Sequence, residues 1–290
     1  MNQPKLIGGR RASRAQRPAG REERSGRRIG ILSFSSPGHY YPLTALGRRL
    51  QSRGHEVVYF QVADLERPIR TAGLQFRQIG REDFPPGALR ARDEEVCKLK
   101  GLAALRCGLR GIERKAMMLF RDAPAAIRDE GVDSLIVDQI EMAGGTVAEH
   151  LGLPFVSAAV ALPINTDPSV PPCHLLWCHR VGVRAWLRNW AGNVIFQWML
   201  SGILRTINRQ RQAWGLPAVR GLNDTFSALA QVTQLPDALE LPAGACLPAS
   251  TTPAPGRTRP GGSRWTSPGR DSTRADPWCT PRWGRFRTAS

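Results

Sequence analysis

His39 follows the apolar run Ile29–Phe34, inside the segment Ser35-Ser36-Pro37-Gly38-His39-Tyr40-Tyr41-Pro42. Imidazole titrates close to neutral pH and can take a proton from a substrate hydroxyl as a general base. A histidine at this place can equally well cap or hydrogen-bond the turn that carries it. Asp138 closes a second apolar run, Val132–Val137. A carboxylate behind an imidazole fixes its tautomer and stabilises the imidazolium. An Asp at a strand end can also simply open the next helix as an N-cap. Spacing alone does not bring His39 and Asp138 together. Cys173-His174 and Cys178-His179 carry soft metal-ligand types, but all four crowd one short segment with no second pair elsewhere. Zinc sites usually draw ligands from two places, so no metal is expected. Neither a G-x-x-x-x-G-K-[ST] loop nor a G-x-G-x-x-G loop for phosphate occurs.

Elements must place these residues. Ile29–Phe34 has the length of a buried parallel strand. A Ser36-Pro37-Gly38 turn follows, then Leu43, Leu46, Gly47 and Leu50 at helical spacing, with Pro42 expected in the helix's first turn. His55–Phe60 predicts a strand, Asp64–Ala72 a helix and Leu74–Ile79 a third strand. The β-α-β-α-β order calls for a parallel sheet, one half of a doubly wound α/β fold. Residues 81–101 are charged and hold Pro and Gly, which predicts a surface loop. A long helix is expected over Leu102–Glu130, strands at Val132–Val137, Pro154–Val160 and Ala228–Thr233, and a helix at Ala143–Leu151. Ile164–Cys173 predicts a loop, and Arg180–Trp214 is Trp-rich and helical in pattern. In doubly wound sheets ligands sit at the carboxyl ends of the strands, where both His39 and Asp138 fall.

The 290 residues carry 41 Lys+Arg against 24 Asp+Glu, a net charge of +17. That excess concentrates in the ends. Residues 1–28 hold +7 and residues 245–290 hold +6, leaving +4 for 29–244. A basic extension over 1–28, a folded domain over 29–244 and a Pro/Gly/Arg-rich unstructured tail over 245–290 are therefore expected. The basic ends make a specific nucleic-acid partner a weaker expectation than a solvated tail. No apolar segment follows the first arginines as in a secretory signal, and Val194–Leu204 falls short of the ~20 residues a spanning helix needs. Six irregularly spaced cysteines make no disulfide framework. The expectation is a cytoplasmic protein, with a basic aromatic face at 163–214 suited to peripheral contact with a membrane.

The strand, the Ser-Pro-Gly-His-Tyr-Tyr-Pro segment, the helix and the Arg53-Gly54-His55-Glu56-Val57 strand entry resemble the amino-terminal domain of the family 1 UDP-dependent glycosyltransferases, of GT-B fold. Within that family the bacterial carotenoid (zeaxanthin) and macrolide glucosyltransferases are most similar. Val137-Asp138 and Glu149-His150-Leu151-Gly152-Leu153-Pro154-Phe155-Val156 fit the same pattern, and the resemblance covers about Ile29–Ala249. It implies that His39 deprotonates an acceptor hydroxyl and that Asp138 orients it. The hydroxyl then attacks the anomeric carbon of a UDP-sugar with inversion. It implies a lipophilic hydroxylated acceptor such as a carotenoid, met by Gly38, Tyr40, Pro163, Asn165 and Trp177, and no cofactor beyond the UDP-sugar, which is the donor substrate. Rival readings are a Rossmann-type epimerase or reductase, disfavoured by the missing glycine fingerprint, and an Arg-rich nucleic-acid-binding protein.

Enzymes of this family carry a second, donor-binding domain, whose signature is not found in this sequence. Re-reading residues 250–290 one nucleotide out of frame, with permitted wobble bases, turns Asp276–Ser290 into RPLVYASLGTLQNRQ. This resembles the linker end and first strand of a donor domain. A one-nucleotide frameshift near Cys246–Ser250, and a chain inactive by itself, are the resulting expectations. UDP-sugar binding is expected only when a donor domain is supplied.

Overall fold

The computed structural model describes residues 26–234, except Leu176. The basic extension, for most of its length, and the tail lie outside the described residues. Six parallel strands form one sheet in the order β3-β2-β1-β4-β5-β6. They are β1 (Arg28–Leu32), β2 (Glu56–Gln61), β3 (Gln75–Gln78), β4 (Ser134–Asp138), β5 (Phe155–Ala159) and β6 (Gln231–Thr233). This is the doubly wound α/β arrangement, with the strand order reversing direction between β1 and β4. Helices α1 (Pro37–Gln51), α2 (Glu66–Thr71), α3 (Ala88–Lys98), α4 (Gly101–Asp129), α5 (Met142–His150), α6 (Val183–Met199) and α7 (Ser201–Ala213) flank the sheet.

The central strand β1 is buried from Ile29 onward because both its neighbours, β2 and β4, are strands with helices over them. Ile31, Val57, Tyr59 and Leu135 pack there with Leu43 of α1, Leu119 and Ile127 of α4 and Ile207 of α7 in one continuous core. Burying side chains of this size contributes roughly 1.5–3 kcal/mol each.

Three expectations change. Residues 88–98 form a helix rather than a loop. Asp64 accepts hydrogen bonds from Gly87 N (2.5 Å) and Leu89 N (2.8 Å), satisfying free donors at the start of α3. Arg90 and Glu94 pair one turn apart. Arg180–Trp214 is two helices, α6 and α7, meeting at Leu200. Pro42 is not in the first turn of α1, which begins at Pro37, but in its interior. Lacking an N–H, Pro42 cannot bond the Gly38 carbonyl one turn back.

Close approach fixes Gly145 on α5. A Cβ there would stand 2.6 Å from the backbone oxygen of Thr225, which no rotamer change can relieve. Gly145→Ala is therefore expected to destabilise the domain by about 1–3 kcal/mol, the usual cost of overpacking. Urea unfolding of the purified chain measures it, and an unchanged midpoint would contradict the packing described.

Candidate active site

The site lies where the strand order reverses. β1 delivers the chain to Ser33–Ser36, and α1 starts with Pro37, whose missing N–H costs nothing in a first turn. His39 N and Tyr40 N both donate to Ser36 O, at 2.9 and 3.0 Å, which anchors the turn. This lifts His39 over the end of the neighbouring strand β4. There Nδ1 of His39 lies 2.7 Å from Oδ2 of Asp138. Phe34 stands edge-on to the imidazole, with ring centres 5.4 Å apart. The pair that spacing alone could not join is joined.

Asp138 is only 1% exposed, yet well satisfied. Its Oδ2 also accepts from Phe34 N (3.2 Å), and its Oδ1 accepts from Ile140 N (3.1 Å). Two backbone donors and the imidazole therefore hold the carboxylate in one orientation. With Nδ1 donating to a carboxylate, the neutral imidazole carries its lone pair on Nε2. No hydrogen bond to Nε2 is found among the described residues. His39 keeps a side-chain exposure of 18%, so that nitrogen can meet a ligand.

Beneath the pair lies an ionic contact that the sequence reading missed. Lys115 of α4 and Glu141, the residue before α5, are both nearly fully buried, with Nζ–Oε1 2.8 Å. Lys115 Nζ also donates to Ser33 O (2.7 Å) and Ser35 Oγ (2.9 Å), so all three ammonium protons are used. Burial dominates both groups. It pushes the Lys115 ammonium below its usual range and the Glu141 carboxyl above its own, against their mutual attraction. Through Lys115 the pair ties the Ser33–Ser36 loop, which leads into the helix carrying His39, to the loop following Asp138. Gln61 and Tyr59 add to this: Gln61 Nε2 donates to Ser33 O (2.7 Å) and Tyr59 Oη to Ser33 Oγ (2.7 Å). A lysine on the apolar face of α4, beside Leu119 and Ala116, was the available signal.

The residues expected at an acceptor separate. Gly38 is exposed, and a Cβ there would meet nothing within 4 Å, leaving open space beside His39. Tyr40 instead sits in the core, 6% exposed, because it shares a helix face with Leu43 and Gly47. Its ring packs against Tyr41 with centres 4.5 Å apart, and burial pushes its phenol upward. Asn165 accepts from Gln139 Nε2 and donates to Gln231 Oε1, each at 3.0 Å. That amide network fastens the loop after β5 to the residue following Asp138. Pro163 is half-buried in the same loop. Trp177 packs over Gly192 of α6, with the Arg188 guanidinium 5.0 Å from its ring centre.

In the Cys173–His179 segment, the His174 ring packs tilted against Phe196 with centres 4.2 Å apart, and Arg188 donates to Cys178 O. Among the described residues no group of three or more His, Cys, Asp or Glu is arranged to hold a metal ion.

No family model matches the chain. It is similar to the zeaxanthin glucosyltransferase of Pantoea ananas, 36% identical over 204 residues, which is 70% of this chain and 47% of that protein. The zeaxanthin glucosyltransferase of Pseudescherichia vulneris is 32% identical over 206 residues, 70% of this chain and 48% of that protein. The chain thus spans about half the length of the curated relatives it matches. Among solved structures, the glycosyltransferase of kitacinnamycin aligns with a TM-score of 0.53 at 16% identity, covering 84% of this chain and 55% of that one. A spinosyn forosaminyltransferase aligns at 0.50 and 17% identity, covering 75% of this chain and 48% of that one. At these identities the two structures speak for the fold.

Proposed function

We propose that this chain, a member of the family 1 UDP-dependent glycosyltransferases with the GT-B fold, supplies the acceptor half of an enzyme that moves a hexose from UDP onto a lipophilic alcohol. Glucose is the proposed sugar and a hydroxylated carotenoid the proposed acceptor class, as the names of the two relatives suggest. The observation that carries the reading is the His39–Asp138 contact at the reversal of strand order.

An alcohol is a poor nucleophile until its proton is drawn off. The acceptor hydroxyl donates to His39 Nε2, and its oxygen attacks the anomeric carbon. The C–O bond to UDP breaks on the opposite face, so the configuration inverts and UDP leaves with the electron pair. The proton stays on His39, whose imidazolium is stabilised by Asp138. Gly38 leaves room for the acceptor beside the imidazole. The departing diphosphate needs hydrogen-bond donors or a helix N-terminus, which the donor half supplies.

Two assays test this. The chain as written, given UDP-glucose and zeaxanthin, is expected to form no glucoside. A gene with the reading frame restored near codons 246–250 is expected to encode the donor half and to form zeaxanthin glucosides. Robust turnover by the chain as written would overturn the proposed loss of the donor half. A restored protein that binds UDP-glucose but leaves every hydroxylated carotenoid untouched would overturn the acceptor class. Sequencing the gene decides the frame independently: shifted codons that do not spell RPLVYASLGTLQNRQ would contradict it.

A further inference from the structure

The helix α6 is inside out. The side chains it turns inward are small or polar: Ala185, Asn189, Gly192 and Asn193 are buried. Those it turns outward are large and apolar. Val183, Trp186, Leu187, Trp190, Val194 and Trp198 are all exposed, Trp190 by 51% and Trp198 by 74%. At 100° per residue they form one stripe along four turns, with Arg184 and Arg188 on its flank. A soluble helix buries such a stripe, and exposed apolar patches of this kind mark a surface made for contact.

The inward face explains why the helix does not simply roll over. Asn189 Nδ2 donates to Pro168 O at 3.1 Å, and a Cβ at Gly192 would stand 3.0 Å from the rings of both Trp177 and Pro172, tighter than ordinary packing contact. The polar face is committed to the domain. The apolar face is left for something else.

Charge narrows what that something is. From Pro168 to Asn223 the chain holds seven arginines and no Asp, Glu or Lys. A second copy docked on the same patch by a twofold axis would set Arg180, Arg184 and Arg188 against themselves. Residues 245–290 of the chain carry a net +6 and offer these arginines no net opposite charge either. A surface of opposite charge with an apolar interior fits all of these residues. Tryptophan and arginine both favour the boundary between water and lipid, where an amphipathic ring or a guanidinium keeps its polar end wet. Among the described residues no helix is long and apolar enough to cross a membrane, so this helix would lie along the surface.

We propose that the outward face of α6 docks the protein on an anionic lipid bilayer, with the helix axis in the membrane plane. A lipophilic acceptor partitions into that bilayer, so docking would bring the domain to its substrate. That benefit rests on the proposed function; the docking does not, and it is measured without any sugar transfer.

The test is flotation of the full chain with vesicles of phosphatidylcholine, with and without phosphatidylglycerol, at about 0.15 M salt. The wild type is expected to float with anionic vesicles. Trp186→Gln/Trp190→Gln/Trp198→Gln is expected to lose partitioning by about tenfold or more, with an unchanged circular dichroism spectrum, since these side chains are exposed. Should the triple variant misfold, Trp198→Gln alone is expected to weaken flotation measurably. Arg180→Gln/Arg184→Gln is expected to lose about tenfold on anionic vesicles and nothing on pure phosphatidylcholine. A folded triple variant that floats as the wild type does would overturn the proposal and assign binding to the basic ends. So would a lipid-free dimer of the wild type that the triple variant abolishes, combined with no flotation.

Discussion

Lys115→Met is expected to destabilise the domain by about 3–5 kcal/mol, the usual cost of leaving one member of a buried ion pair uncompensated. The substitution removes the cation paired with Glu141 and strips a donor from Ser35 Oγ. Ser33 O keeps its bond from Gln61, so the damage falls mainly on the carboxylate. Glu141 already sits above the usual carboxylate range because it is buried, and losing Lys115 moves it further up. An acid raised in the folded state is relieved as pH falls through its folded value, since the native protein then binds the extra proton. The loss in Lys115→Met should therefore shrink toward acidic pH. Lys115→Met/Glu141→Leu replaces the pair with apolar side chains and is expected to recover most of the lost stability. Urea unfolding of the wild type and the two variants decides this. A single variant as stable as the wild type, or a double variant no better than the single, would show that the pair does not bind the two loops together.

The second large effect is expected from Asp138→Asn. The carboxylate accepts from three donors, and its Oδ2 takes two of them, Phe34 N and His39 Nδ1. An amide nitrogen at that place would face two donors with a donor. Flipped, it would face Ile140 N instead. Either orientation leaves a backbone N–H without an acceptor in a site that is almost closed to water, and the first also turns the imidazole to the wrong tautomer. In the frame-restored protein of the proposed function, the proposed glucosyl transfer to zeaxanthin is expected to fall by about 10²–10⁴ in kcat, with a much smaller change in KM. A fall confined to KM would make Asp138 a binding residue rather than the partner of a base.

Much of this arrangement was legible in the sequence, and the misses have physical causes. The apolar runs that became β1, β2, β4 and β5 were read to within about two residues, because buried parallel strands are short, continuous and bounded by turns. His39 and Asp138 were placed at strand ends, but their contact depends on β1 and β4 being neighbours, a matter of topology. Residues 88–98 read as loop because only Leu89 is buried; the helix is held by Asp64, a residue more than twenty positions away. The resemblance places Tyr40 at the acceptor, although its spacing to Leu43 and Gly47 puts it on the inner face of α1. Lys115 and Glu141 had no recognisable motif. A charged residue on an apolar helix face was the only sign of them, and its partner lies across the fold.

The central claim is that Asp138 holds His39 with Nδ1 protonated and Nε2 free to take a proton from an acceptor hydroxyl. Nitrogen-15 chemical shifts of the His39 ring, recorded on the chain in its neutral imidazole form, test this without a donor or an acceptor. The expected result is a protonated Nδ1 and a pyridine-like Nε2 in the wild type, with the populations redistributed in Asp138→Asn. An Nε2-protonated ring, or a His39 signal indifferent to Asp138→Asn, would contradict the account.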